Sequence, residues 1–171
     1  MSNSPKRSWK TIEKADLSRL NDLSTQCIDE MLGRTKTGSY YSTNTALMAC
    51  LCQGAAQHYV HRDRGIQDWD VVFFFQTNPL WKFPPRWRGV KDFGPSRFGK
   101  NPDDGLTYSG RRIDVLGRDI PVAKGSSPVQ TVIAYLREGR TTSARLWAKR
   151  PLVVLSPKNM LGRVIWDGKH D

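Results

Sequence analysis

Apolar residues recur at helical spacing over 12–32, where Leu17, Leu20, Leu23, Cys27, Ile28, Met31 and Leu32 form one stripe and Gly33 follows. This spacing predicts an amphipathic helix closed by a glycine. A polar connection over 35–45 then leads into an apolar run over 49–52. The run breaks at Gly54 and resumes in helix-forming residues as far as His61, a pattern of strand, tight turn and helix. Val71, Val72, Phe73, Phe74 and Phe75 are apolar without alternation, as expected of a central strand buried on both faces. Asn101 to Gly105 is turn chemistry, so 106–108 and 112–116 read as one extended passage. Ser127 caps a helix over 128–138 with proline at its first position. A further helix covers 142–149 and stops before Pro151, and 152–155 and 163–166 read as late strands.

The chain of 171 residues shows no internal repeat and no boundary, so the pattern predicts one domain over 11–171 behind a flexible tail over 1–10. No apolar run approaches the roughly 20 residues that cross a bilayer, which argues against a membrane span. The tail is not followed by an apolar segment and so is no secretory signal. Cys27, Cys50 and Cys52 are odd in number and lie in apolar stretches. They read as reduced thiols of a cytoplasmic protein, because Cys50 and Cys52 lack a second pair to complete a zinc site.

Charge narrows the class of partner. The formal net charge of +11 suggests a polyanion. The excess is concentrated between Trp81 and Lys100, within the segment 79–105, where Lys82, Arg86, Arg88, Lys91, Arg97 and Lys100 stand against Asp92 alone and interleave with Trp81, Phe83, Trp87, Phe93 and Phe98. Cations for phosphates and aromatic faces for bases are the ingredients of single-stranded nucleic-acid binding. The prolines and glycines of this segment predict a structured loop, not a helix or central strand. In the competing reading, the aromatics pin a long connection onto the core. The later helices carry Arg137, Arg140, Arg145, Lys149 and Arg150, a solvated face by default and an extension of the basic surface otherwise. His58 and His61 can share a helix face but lack further ligands for a metal, so packed or surface histidines are the simpler reading.

Candidate chemistry gathers at Asp68 and Asp70, which open the apolar strand. Two residues apart on a strand, they project from one face. Acids held together at the rim of a core need a neutralising cation, and a divalent metal bound by oxygen is the natural one. Solvated acids capping a strand are the bland alternative. Asp114 sits inside a later strand and joins the pair if the two strands are neighbours. Gly54 permits close approach of the backbone, and the helix that follows it offers free N–H groups to a polyphosphate. Arg62 and Arg64 lie between that helix and the acids.

The order Gly54-Ala55, then Asp68-x-Asp70 opening an apolar strand, then Asp114 within a later strand, resembles the nucleotidyltransferase superfamily of the polymerase-beta-like fold. The similarity spans about 46–116, and Arg64 ahead of the acids looks most like the abortive-infection and minimal nucleotidyltransferase branches. The resemblance implies an α+β fold with a mixed β-sheet flanked by helices. It also implies transfer of a nucleoside monophosphate from a nucleoside triphosphate such as ATP to an acceptor hydroxyl, the acceptor being RNA, another polyanion or a protein. Asp68, Asp70 and Asp114 would be the catalytic residues and would hold two Mg²⁺ ions. Gly54, Ala55 and Arg64 would meet the triphosphate, and Lys82, Arg86, Trp87, Arg88, Lys91 and Arg97 a nucleic acid. Ala55 departs from the pattern, since many active members carry serine or glycine there. An inactive protein of the same fold that binds nucleic acid is therefore the alternative. A nuclease using Asp103 or Asp114 ranks behind both, for want of a lysine alternating with Asp114.

Overall fold

The apolar run of the central strand sets the architecture. In the computed structural model, which describes residues 5–84 and 88–168, it forms β2 (Trp69–Gln76), buried from Val71 to Phe75. Around it lie α1 (Lys14–Leu32), β1 (Ala46–Cys52), α2 (Gln53–His61), β3 (Arg88–Asp92) and β4 (Arg112–Ile120). The chain continues through α3 (Pro128–Glu138), α4 (Thr142–Ala148), β5 (Pro151–Ser156) and β6 (Val164–Asp167). The six strands form one mixed sheet in the order β3-β4-β2-β1-β5-β6, parallel between β2 and β4 and antiparallel elsewhere. The fold is α+β, a mixed sheet flanked by helices.

Both faces of β2 are covered, which is why its sequence does not alternate. Val71, Phe73 and Phe75 pack with Leu17, Leu20 and Ile28 of α1 and with Ala55 and Ala56 of α2. Val72 and Phe74 pack on the other face with Val132 and Leu136 of α3 and Trp147 of α4. Ser127 starts α3 with a capping box: its hydroxyl accepts from Gln130 N–H at 3.2 Å while Gln130 Oε1 accepts from Ser127 N–H at 2.9 Å. Ser127→Ala is expected to cost about 1 kcal/mol and to lower the melting temperature by roughly 2–4 °C in a thermal denaturation scan.

Three expectations change. The segment 79–105 is not all loop, because Arg88–Asp92 pairs along the edge of β4. Its prolines flank this strand without entering it, and Gly89 leaves room beneath for Met31 and Cys27 of α1. The stretch 106–108 is turn, not strand, and β4 starts only at Arg112. The expected tail is docked from Pro5 onward. Ser8 is buried and bridges Ile66, and the buried Arg111 guanidinium donates to Pro5 O, Lys6 O, Gln67 O and Phe98 O at 2.8–3.1 Å. A charged side chain hidden from water needs this many acceptors, and they come from three separate segments. No helix among the described residues is long and apolar enough to cross a membrane.

Candidate active site

Parallel pairing of β2 with β4 puts Asp70 directly beside Asp114, and antiparallel pairing of β1 with β2 puts Cys52 on the other side of Asp70. Asp68 stands just ahead of β2. The three acids expected to converge therefore do so, at the end of the sheet where β1 passes into α2. A fourth, Asp104, joins them from the turn Pro102–Asp104.

Two arginines enter this cluster. Arg112 contacts Asp68 at 3.1 Å, Asp114 at 3.1 Å and Asp104 at 3.3 Å. Arg88, on the edge strand, holds Asp114 Oδ1 through Nη2 at 2.7 Å and Nε at 3.2 Å. Part of the neutralising cation that the sequence demands is thus guanidinium. The pairing is uneven: Arg88 and Arg112 bind Asp68, Asp104 and Asp114 directly and leave the Asp70 carboxyl without a bonded guanidinium. The Asp70 carboxyl group has no hydrogen-bond or ion-pair partner among the described residues, although Asp70 O accepts from Cys52 Sγ at 3.4 Å. Burial first, then the charges of Asp68 and Asp114, pushes its carboxyl up to about 7. Burial raises Asp68 as well, against the opposing pull of Arg112.

Across from the acids lies a cluster of the opposite sign. The left-handed residue where β1 passes into α2 is Gln53, the first residue of α2, at φ 57°, and not Gly54 as the sequence suggested. Gly54 has a different use. A Cβ there would sit 3.2 Å from Arg64 Nε, so its absence lets Arg64 lie closely against the start of α2, with Arg150 Nη1 nearby at 3.7 Å. Burial and the charges of Arg64 and Arg7 push the Arg150 guanidinium down, while Asp70 and Asp63 oppose that shift. Positive side chains crowded at a helix N-terminus form a setting for an anion. Ala55 points into the apolar core between α2 and the sheet, away from this cluster.

The remaining candidates divide. His58 is buried: its Nδ1 accepts from Gly65 N–H at 3.2 Å and its Nε2 meets Lys10 O at 3.0 Å, so it is a packed histidine. Arg97 turns inward onto the largely buried Asp16 and onto Thr11 O at 2.8 Å. Lys91 pairs with Glu30 of α1 at 3.5 Å. Phe93 and Phe98 are buried against Trp69, and so they pin the segment to the core. Lys82 is exposed, whereas Arg86 and Trp87 lie outside the described residues. Sequence reasoning passed over Arg112 and Asp104 at this site, whereas Arg150 was among the basic residues expected to border the cleft in the functional reading. The alternation of Arg112 with Asp114 was a usable signal for the first. Asp104 had none, because a distant contact brings it in.

The donor set suits a hard divalent cation in kind, being carboxylate oxygen throughout with Asp70 unpaired. As they stand, however, no three His, Cys, Asp or Glu side chains among the described residues are grouped so as to hold a metal ion. Arg88 and Arg112 would have to release Asp114 and Asp68 first. Comparison with family models, curated proteins and solved structures yields no match for this chain.

Proposed function

We propose that the protein is a metal-dependent nucleotidyltransferase of polymerase-beta-like type, moving a nucleoside monophosphate from a nucleoside triphosphate to an acceptor hydroxyl. One observation carries the reading: an unpaired, protonation-prone Asp70 within an acidic cluster stands next to paired guanidiniums at the start of α2. A nucleoside triphosphate bound to a divalent cation has this polarity, with anionic phosphates for Arg64 and Arg150 and a cation for the carboxylates. Magnesium, two ions on the family pattern, would be held by Asp68, Asp70 and Asp114 and would offset the charge of the reacting phosphates.

The chain's own groups supply the rest. Arg64, Arg150 and the free N–H groups of α2 hold the phosphates in line, and they keep hold of the pyrophosphate as it leaves. Asp114, nearest the open edge at β3, takes the proton of the acceptor hydroxyl. Arg88, which must already have released Asp114 for the cation to bind, turns toward the acceptor.

Calorimetric titration with each of the four nucleoside triphosphates tests this. Binding is expected to require both magnesium and Asp70, and to weaken by about tenfold or more in Arg64→Ala, the scale of a lost charge-assisted hydrogen bond. Asp70→Asn is expected to abolish transfer in a folded protein. Retained transfer in that variant, or triphosphate binding indifferent to magnesium, overturns the reading. The arginines already seated on Asp114 and Asp68 favour one alternative, an inactive member of the fold that binds nucleic acid through its basic surface. Salt-sensitive binding that ignores magnesium is its signature.

A further inference from the structure

Away from the acids, at the far end of β2, two aromatic rings are stacked in the open. Tyr40 and Trp81 lie with centroids 4.1 Å apart and planes 7° apart, and they remain 47% and 37% exposed. Their position is built. Tyr41 O–H donates to Trp81 O, and Asn78 Oδ1 accepts from the N–H groups of Leu80 and Trp81 at 2.9 and 3.3 Å. These bonds hold the loop that follows β2 against the turn Gly38–Tyr40, and leave Leu80 80% exposed beside the stack. A cleft of about 260 Å³ opens next to it, where Gln76, Thr77 and Thr45 supply amide and hydroxyl groups. Ordered aromatics kept in water at a cost of apolar exposure mark a surface that meets something.

The charges name the partner. The two segments that form the stack, 34–45 and 77–84, contain Arg34, Lys36 and Lys82 and no acidic residue. Of the neighbouring carboxylates, Asp29 is engaged by Thr43 N–H at 3.3 Å and its hydroxyl at 3.2 Å, while Asp119 lies toward Tyr41. Flat aromatic faces on segments that carry cations and no acids fit a polyanion that carries aromatic rings.

We propose that Tyr40 and Trp81 form a stacking platform for the unpaired bases of a single-stranded nucleic acid, whose phosphates meet Arg34, Lys36 and Lys82. The cleft beside the stack receives a base edge. The platform is independent of the transfer reading. It lies about 20 Å from Asp70 by the length of β2, so a protein that binds no triphosphate can still bind here.

The test is fluorescence anisotropy at low salt with a labelled short oligothymidylate and an abasic strand of the same length, using the full chain. The wild type is expected to bind the base-bearing strand more tightly. Trp81→Ala and Tyr40→Ala are each expected to lose on the order of tenfold for that strand and little for the abasic one. Trp81→Phe, which keeps a ring to stack on, should recover much of the loss. Both alanine variants keep every backbone hydrogen bond of the loop, and far-ultraviolet circular dichroism verifies their fold. Equal affinity for the abasic strand overturns the proposal, as does wild-type affinity in both alanine variants. Absence of binding to either strand also overturns it and reassigns the exposed rings to a protein partner.

Discussion

At about pH 8, Asp70→Asn is expected to melt higher than the wild type, by about 5–10 °C. The carboxyl of Asp70 is pushed up from 3.8 to about 7 by burial and by the neighbouring Asp68 and Asp114. The folded chain therefore retains a proton that the unfolded chain releases. Between about pH 4 and pH 7 the native state binds more protons, so stability falls as pH rises through that window. Above it the whole penalty is present, at most about 4 kcal/mol for a shift of this size. Asparagine has nearly the same shape and no charge, and so removes the penalty. The gain should vanish near the lower end of the window, where the wild-type side chain is already neutral. Thermal denaturation of both proteins from acid to mildly alkaline pH measures the difference. Parallel curves would mean that Asp70 ionises freely in the folded protein. Added magnesium should raise the wild type at the alkaline end and leave Asp70→Asn nearly unmoved. That result separates a cation site from an acidic cluster tolerated for its own sake.

The residue that makes the site costly is also the one most legible in the sequence. Asp70 opens an unbroken apolar strand, and a strand buried on both faces has few places in a sheet, so its position near the centre followed from pattern. The helices around it were legible for the same reason, as stripes at one period with caps at their ends: Gly33 after α1, Ser127 and Pro128 before α3. The meeting of Asp70 and Asp114 depended on β2 and β4 being neighbours. Pattern could pose that condition, and only the register between them meets it. Partnerships among charges were not legible at all. Arg88 and Arg97 look alike in a basic, aromatic stretch, yet one reaches the acidic cluster and the other turns inward to Asp16. Composition counts cations, whereas the choice of partner is made by contacts between residues 26 and 81 positions apart. β3 was hidden because five half-exposed residues between proline-rich flanks show no hydrophobic period. Gln53 misled in another way: a glycine beside a turn reads as the turn residue, but here the non-glycine residue takes the left-handed conformation and glycine makes room for Arg64.

Arg111→Ala is expected to be the most damaging single substitution, lowering stability by about 3–5 kcal/mol. The side chain is fully buried and burial pushes its guanidinium down, yet it donates to four backbone carbonyls. Its removal leaves a void and takes the donor from those carbonyls, of which the one at Phe98 meets it in a fully buried place. The four belong to the N-terminal strap at Pro5 and Lys6, the approach to β2 at Gln67, and the loop at Phe98, so the loss is shared by three segments. Arg111→Lys should recover only part of the stability, because one ammonium cannot span a planar fork of acceptors. Arg111→Met, similar in bulk, should recover less, since it fills space without donating. Chemical denaturation of the three variants gives the order. The physical reason predicts a second readout, limited proteolysis under native conditions. Release of Gln67 and of the strap should expose the chain ahead of Trp69 to cleavage in Arg111→Ala well below its melting temperature. Gln67 adjoins Asp68, so loosening this point also loosens the acidic cluster. A variant that stays folded but has lost Arg111 should therefore show weaker magnesium-dependent stabilisation than the wild type, although Arg111 makes no hydrogen bond to Asp68, Asp70 or Asp114. If Arg111→Met proved as stable as the wild type, bulk and not hydrogen bonding would be what Arg111 contributes, and the strap would be held by its other contacts, Ser8 with Ile66, Lys6 with Asp103 and Lys10 O with His58.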